Sequence, residues 1–179
     1  MAAAPQKIRE ATFQMLYSFD LGNNTEDAIV ELISKELTLP KSVAKTVKER
    51  VKAILTHLKE IDALIAKVCH SYEFERIHTV ERNILRLGIY ELLYDPSIPE
   101  KVVFAECMRL ATKFSAEEAG AFIHAILDAV VKTRAGEPLN DKKLKEIAKA
   151  AEKSEREIQH VIEALGDNKS SGNLKKSDE

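Results

Sequence analysis

Apolar residues recur along this chain at steps of three and four, the spacing that lines one face of an α-helix. Strand-like alternation of useful length is missing. Ile8, Ala11, Thr12, Met15, Leu16 and Phe19 predict a first helix over residues 7–21, ended by Gly22-Asn23-Asn24. Asn24 or Thr25 would cap a second helix, with Glu26 and Asp27 in its first turn and Ile29, Leu32, Ile33 and Leu37 along its stripe. Thr38-Leu39-Pro40 breaks it, and Pro40 suits the start of a third. Between residues 41 and 74 neither Gly nor Pro interrupts a stripe of Val43, Val47, Val51, Ile54, Leu55, Leu58, Ile61, Ile65 and Val68. So long a pattern predicts a break between two helices near residues 56–59.

Further helices are predicted over 79–94, 99–114 and 116–134, the first two joined by the stiff turn Asp95-Pro96-Ser97-Ile98-Pro99. Leu85, Ile89, Leu92 and Leu93 read as core. Ser115-Ala116-Glu117-Glu118 matches a capping box, in which Ser115 would accept from the Glu118 amide and Glu118 would reach back. Gly136-Glu137-Pro138 closes a domain spanning 1–138. Asn140 then caps an appended amphipathic helix over 139–165, carrying Leu144, Ile147, Ala151, Ile158, Val161, Ile162 and Leu165. Residues 166–179 are polar and poor in apolar side chains, the composition of a disordered tail. The fold class is all-α.

Charge narrows the functional classes. The 27 Lys and Arg against 29 Asp and Glu give a net charge of −2, unlike a protein that holds nucleic acid by bulk charge. Dividing the chain yields no basic domain: residues 1–138 carry 18 basic and 20 acidic side chains, and residues 139–179 carry 9 of each. Any contact with nucleic acid must therefore be local and shared with a partner. Cys69 and Cys107, the only thiols, cannot build a disulfide framework. With no signal-like start and no run of about 18 apolar residues, the expectation is a cytoplasmic protein without a membrane partner.

Catalytic patterns are scarce. His57, His70, His78, His124 and His160 are scattered without the i, i+4 pairing of helical metal sites, so no metal or cofactor is expected. Cys69 and His70, adjacent on a helix, point about 100° apart and do not face each other. Cys107 reads as a small core residue. Phosphate loops, dinucleotide fingerprints and nucleophile elbows are absent. A non-enzyme is expected.

Three stretches together resemble the NusB transcription antitermination family. The first is Lys7-Ile8-Arg9-Glu10 with Gln14-Met15-Leu16-Tyr17; the second runs from Glu81-Arg82-Asn83-Ile84-Leu85-Arg86 through Tyr90-Glu91-Leu92-Leu93 to Ile98-Pro99 and Val102. The third joins Glu106, Leu110-Ala111-Thr112-Lys113-Phe114 and Phe122-Ile123-His124-Ala125-Ile126-Leu127-Asp128. The resemblance covers about residues 6–134. It implies a bacterial bundle of about seven helices in two antiparallel groups, to which the C-terminal helix is an addition. It also implies an adaptor that binds boxA-type RNA jointly with a small-subunit ribosomal protein acting as an elongation factor, within the antitermination complex on RNA polymerase during ribosomal RNA synthesis.

Carried over residue by residue, the resemblance places RNA contacts at Lys7, Arg9, Gln14, Tyr17, Lys113, Glu118 and His124. It places the protein-partner face at Glu81, Arg82, Arg86 and Tyr90. Two departures stand out. The family's opening arginine cluster is reduced to Lys7 and Arg9, behind Pro5 and Gln6, and its Asn-Gly pair is replaced by His124-Ala125. A second reading is therefore a self-associating helical interaction module, in which a homodimer would hide Lys7, Arg9 and Tyr17. A third is the helical domain of a ribosomal RNA cytosine methyltransferase, but these 179 residues leave no room for its cofactor-binding α/β domain.

Overall fold

The computed structural model describes residues 4–22, 26–69 and 72–170, and every regular element among them is helical. In chain order these are α1 (Pro5–Asp20), α2 (Glu26–Glu36), α3 (Lys41–Thr56), α4 (Leu58–Val68), a 3-10 turn (Phe74–Arg76), α5 (Thr79–Tyr94), α6 (Glu100–Phe114), α7 (Ala119–Arg134) and α8 (Asp141–Ser170). The proposed caps Asn24 and Thr25 lie outside the described residues. Pro5 opens α1, while Pro40 and Pro99 sit in extended conformation just before α3 and α6. A missing N–H does no harm at these positions. The expected break falls at His57, which ends α3 and begins α4 with φ −98 and ψ 6.

Helices α1–α3 pack on one another and α4–α7 form a second group, with α1 lying against α5 to join them. The periodic positions supply the core: Met15, Leu16, Val51, Ile54, Ile61, Ile65, Leu85, Ile89, Phe122 and Ile123 are all buried. Leu92 and Leu93 differ from expectation, being only half-buried where α5 leaves the core. At Gly88 the neighbouring helix comes so close that a Cβ would stand 2.6 Å from Cys107 Sγ and 3.3 Å from Leu127 Cδ2.

Helix α8 packs along α7 and buries Ile147, Ala151 and Ser154. It runs past the expected end at residue 165 to Ser170. One glycine, Gly166, costs a helix only about 1 kcal/mol and does not compel a stop. Residues 171–179 lie outside the described residues. No helix among those described is long and apolar enough to cross a membrane.

Candidate nucleic-acid and partner interface

A polar seam runs along α1 and α6. Buried Glu10 receives Lys113 Nζ at 2.5 Å and Arg109 Nη1 at 3.4 Å, and Arg109 also clasps Glu106 at 3.0 Å. Gln6 donates to Glu106 at 3.4 Å, and exposed Lys7 donates to the Leu37 carbonyl at 3.3 Å. The seam leads to an aromatic row. Lys113 Nζ stands 5.3 Å from the Phe114 ring, Phe114 lies 5.0 Å from Phe13, and Phe13 lies 6.2 Å from Tyr17.

Beside that row opens a groove of ≈ 470 Å³. Tyr17, Lys113 and Phe114 form one side, Thr79 and Val80 at the start of α5 contribute, and Ile158, Val161 and Ile162 of α8 supply an apolar wall. A half-buried tyrosine with a cation beside it offers a flat π-face next to a charge, the pairing that single-stranded nucleic acid requires.

Of the seven residues expected to touch RNA, only Tyr17 and Lys113 come together here. Gln14 is half-buried on α1 outside the groove. His124 is exposed on α7, edge-on to Phe104 at 5.1 Å. Arg9 requires a correction: it is turned inward, its Nε 2.9 Å from a Glu91 carboxylate that Arg50 also grips at 2.5 Å. Its charge is spent on a buried carboxylate, which withdraws it from the phosphate-contact set.

The capping box is also corrected. Ser115 is extended, α7 starts only at Ala119, and its first turn has no side-chain cap. Ser115 instead hydrogen-bonds buried Glu81, which accepts a second bond from Ser154 of α8. The Glu118 amide donates to Glu157 at 2.9 Å, and the Glu118 carboxylate pairs with Lys153 at 2.6 Å. A buried acid and the added helix thus outcompete the local motif. Burial pushes the Glu81 carboxyl up to about 7, although both serine bonds work against that rise.

The partner face changes in the same way. Glu81 points toward α8, while Arg82 and Arg86 turn to Asp20 at 2.8 and 3.0 Å, and Arg86 also holds Asp62 at 2.7 Å. These three residues do not share one open face. Tyr90 stays half-buried in an aromatic cluster with His57 and Tyr94, whose rings stack at 3.9 Å. Both thiols are buried, and desolvation raises their pKa values, Cys69 to about 12, so neither is a nucleophile at neutral pH. Among the described residues no cluster of His, Cys, Asp or Glu is arranged to hold a metal ion.

Sequence reasoning missed His78, Val80 and the α8 wall as parts of the groove. The apolar stripe of α8 was visible in the sequence, but its landing place depends on long-range packing.

The family model described as the NusB family matches residues 6–132. The chain belongs to the NusB family. It is 35% identical over 125 residues to the transcription antitermination protein NusB of Chlamydia pneumoniae, covering 70% of this chain and 78% of that one. It is 37% identical over 123 residues to the NusB of Agathobacter rectalis, covering 68% of this chain and 94% of that one. Among solved structures, the antitermination factors NusB and NusE in complex with dsRNA give a TM-score of 0.63 at 30% identity, over 72% of this chain and 96% of that one. NusB of T. maritima gives 0.64 at 27% identity, over 81% and 99%. The family-model match ends at residue 132, before α8 begins.

Proposed function

We propose that this chain is a non-catalytic antitermination adaptor that binds boxA-type RNA together with a small-subunit ribosomal protein during ribosomal RNA synthesis, in the cytoplasm. The observation that carries this reading is the groove in which Tyr17 and Lys113 meet on a NusB-family scaffold. A relative solved as NusB with NusE and dsRNA supports the same pairing of ligands. Tyr17 gives a base a stacking surface, and Lys113, whose ammonium pairs with Glu10 yet stays half exposed, turns to a phosphate. Lys7 lies at the far end of the seam as a second phosphate contact. Arg9 acts as a positioning residue that fixes α1 against α5. The partner face narrows to Tyr90 and the aromatic rings around it.

With net charge −2, the isolated chain attracts RNA weakly, and the ribosomal protein completes the basic surface. Titrating a boxA-type RNA against the chain, the ribosomal protein and their mixture tests this. The mixture should bind at least tenfold tighter than either component, and Tyr17→Ala or Lys113→Ala should weaken the mixture by about 1–3 kcal/mol. Equal, salt-insensitive binding with and without the partner would defeat the reading.

A second reading, self-association, is favoured by Val161, Ile162 and Leu165, which expose 50%, 54% and 64% of their surfaces on α8. A dimeric mass in solution that falls to the monomer in Ile162→Glu would support it.

A further inference from the structure

We propose that the outer face of α8 is a track for the sugar-phosphate backbone of an RNA strand, continuing the Tyr17–Lys113 groove along the added helix. The proposal rests on RNA being the ligand and assigns it a second surface. Lys142, Lys145, Lys149, Lys153 and Arg156 follow one another at steps of three and four, so they share one side of the helix, and all are exposed. From Lys142 to Arg156 the row is about 21 Å long at 1.5 Å per residue. Ile147, Ala151 and Ser154 are buried on the opposite side, which fixes this row toward solvent.

Exposed cations left without an ion pair separate a binding track from an ordinary solvated face. Between residues 141 and 165 the helix carries six acids and six bases, and in a merely soluble helix the bases would be taken up by i, i+4 partners. Here two of the acids turn to other parts of the chain. Glu155 pairs with Arg76 at 2.5 Å, and Glu157 accepts from the Glu118 amide. Glu152 pairs with Arg156 at 3.8 Å, and Asp141, Glu146 and Glu163 are the acids left beside the row. Lys142, Lys145 and Lys149 have no ion pair among the described residues. Lys153 is tied to Glu118 at the α6–α7 turn, which follows directly on the Lys113–Ser115 edge of the groove.

The occupant follows from complementarity. A row of evenly placed cations matches a chain of evenly placed phosphates and carries no base-reading geometry. A membrane surface fits poorly, because an interfacial helix turns its apolar stripe outward, whereas the middle of this one is buried against the protein. The track also supplies cations that the short N-terminal pair Lys7 and Arg9 does not, Arg9 being buried.

The test compares wild type with the triple variant Lys142→Gln, Lys145→Gln, Lys149→Gln, each as the full chain mixed with its ribosomal protein. The probe is a boxA-type RNA carrying a flank of about 15 unpaired nucleotides. Loss of three phosphate contacts should lower affinity at least tenfold at low salt and reduce the log–log salt slope by about 2, with the melting midpoint unchanged. The matching Lys→Arg triple should keep both affinity and slope. Wild-type affinity and slope in the Gln variant, alongside weakened binding in Tyr17→Ala, overturn the track while leaving the groove intact. Unchanged RNA binding with a lost grip on the ribosomal protein, or on phosphatidylglycerol vesicles, overturns it in favour of those occupants. A wild-type mixture that ignores RNA altogether overturns the functional reading and the track with it.

Discussion

Glu81 shows how one side chain can belong to structure after looking like surface. It sits almost fully buried between Ser115 and Ser154, and desolvation holds its carboxyl near 7. The folded protein therefore keeps a proton that the unfolded chain releases from about pH 4.5 upward. Its favourable contribution is complete below that range and is lost as pH rises toward 7. Glu81→Gln keeps the neutral shape, so it should match wild type at pH 5 and exceed it by up to about 3 kcal/mol at pH 8. Urea denaturation at the two pH values would read the difference, and parallel curves for the two proteins would refute the assignment. The sequence could not place this residue inward, because periodicity reports which helix face a residue occupies but not what covers that face. Arg86 was misread for the same reason: its partners Asp20 and Asp62 are distant in sequence.

At the scale of elements, the helices were legible because each carries its own stripe and its own Pro or Gly punctuation. The break at His57 was legible too, from excessive length alone. The start of α7 was not, since the Ser115–Glu118 signature is local and the contacts that override it come from α5 and α8. Packing between elements gives two predictions. Gly88→Ala places a methyl against Cys107 and Leu127, so it should destabilise by about 1–3 kcal/mol, and adding Cys107→Ala should restore part of that loss. Truncation after Pro138 removes the burial of Ile147 and Ala151 and leaves Glu81 without Ser154. Stability should fall by about 2–4 kcal/mol, read as a lower melting midpoint by circular dichroism. An unchanged midpoint would mean that α8 is not docked.

The two helical groups of the whole molecule are held in register by charge as well as by core. Glu91 on α5 gathers Arg9 from α1 and Arg50 from α3, so one buried carboxylate spans the junction between α1–α3 and α4–α7. Burial raises the Glu91 pKa, and the two guanidiniums only partly offset that rise. Removing the carboxylate leaves buried Arg9 unpaired and Arg50 with Asp95 alone at 3.5 Å, so Glu91→Ala should cost about 3–5 kcal/mol. Replacing the cluster as a unit, with Arg9→Met, Arg50→Met and Glu91→Leu, leaves only the partly exposed Asp95 without its arginine and should cost far less. Chemical denaturation of the two variants distinguishes a clamp from a bystander: a loss under about 1 kcal/mol in Glu91→Ala would show that the apolar core alone holds the groups together. The same comparison bears on function. Arg9 acting as scaffold implies that the triple replacement, once folded, still binds RNA with the wild-type salt slope, whereas a phosphate-contacting Arg9 would lower that slope by about 0.7.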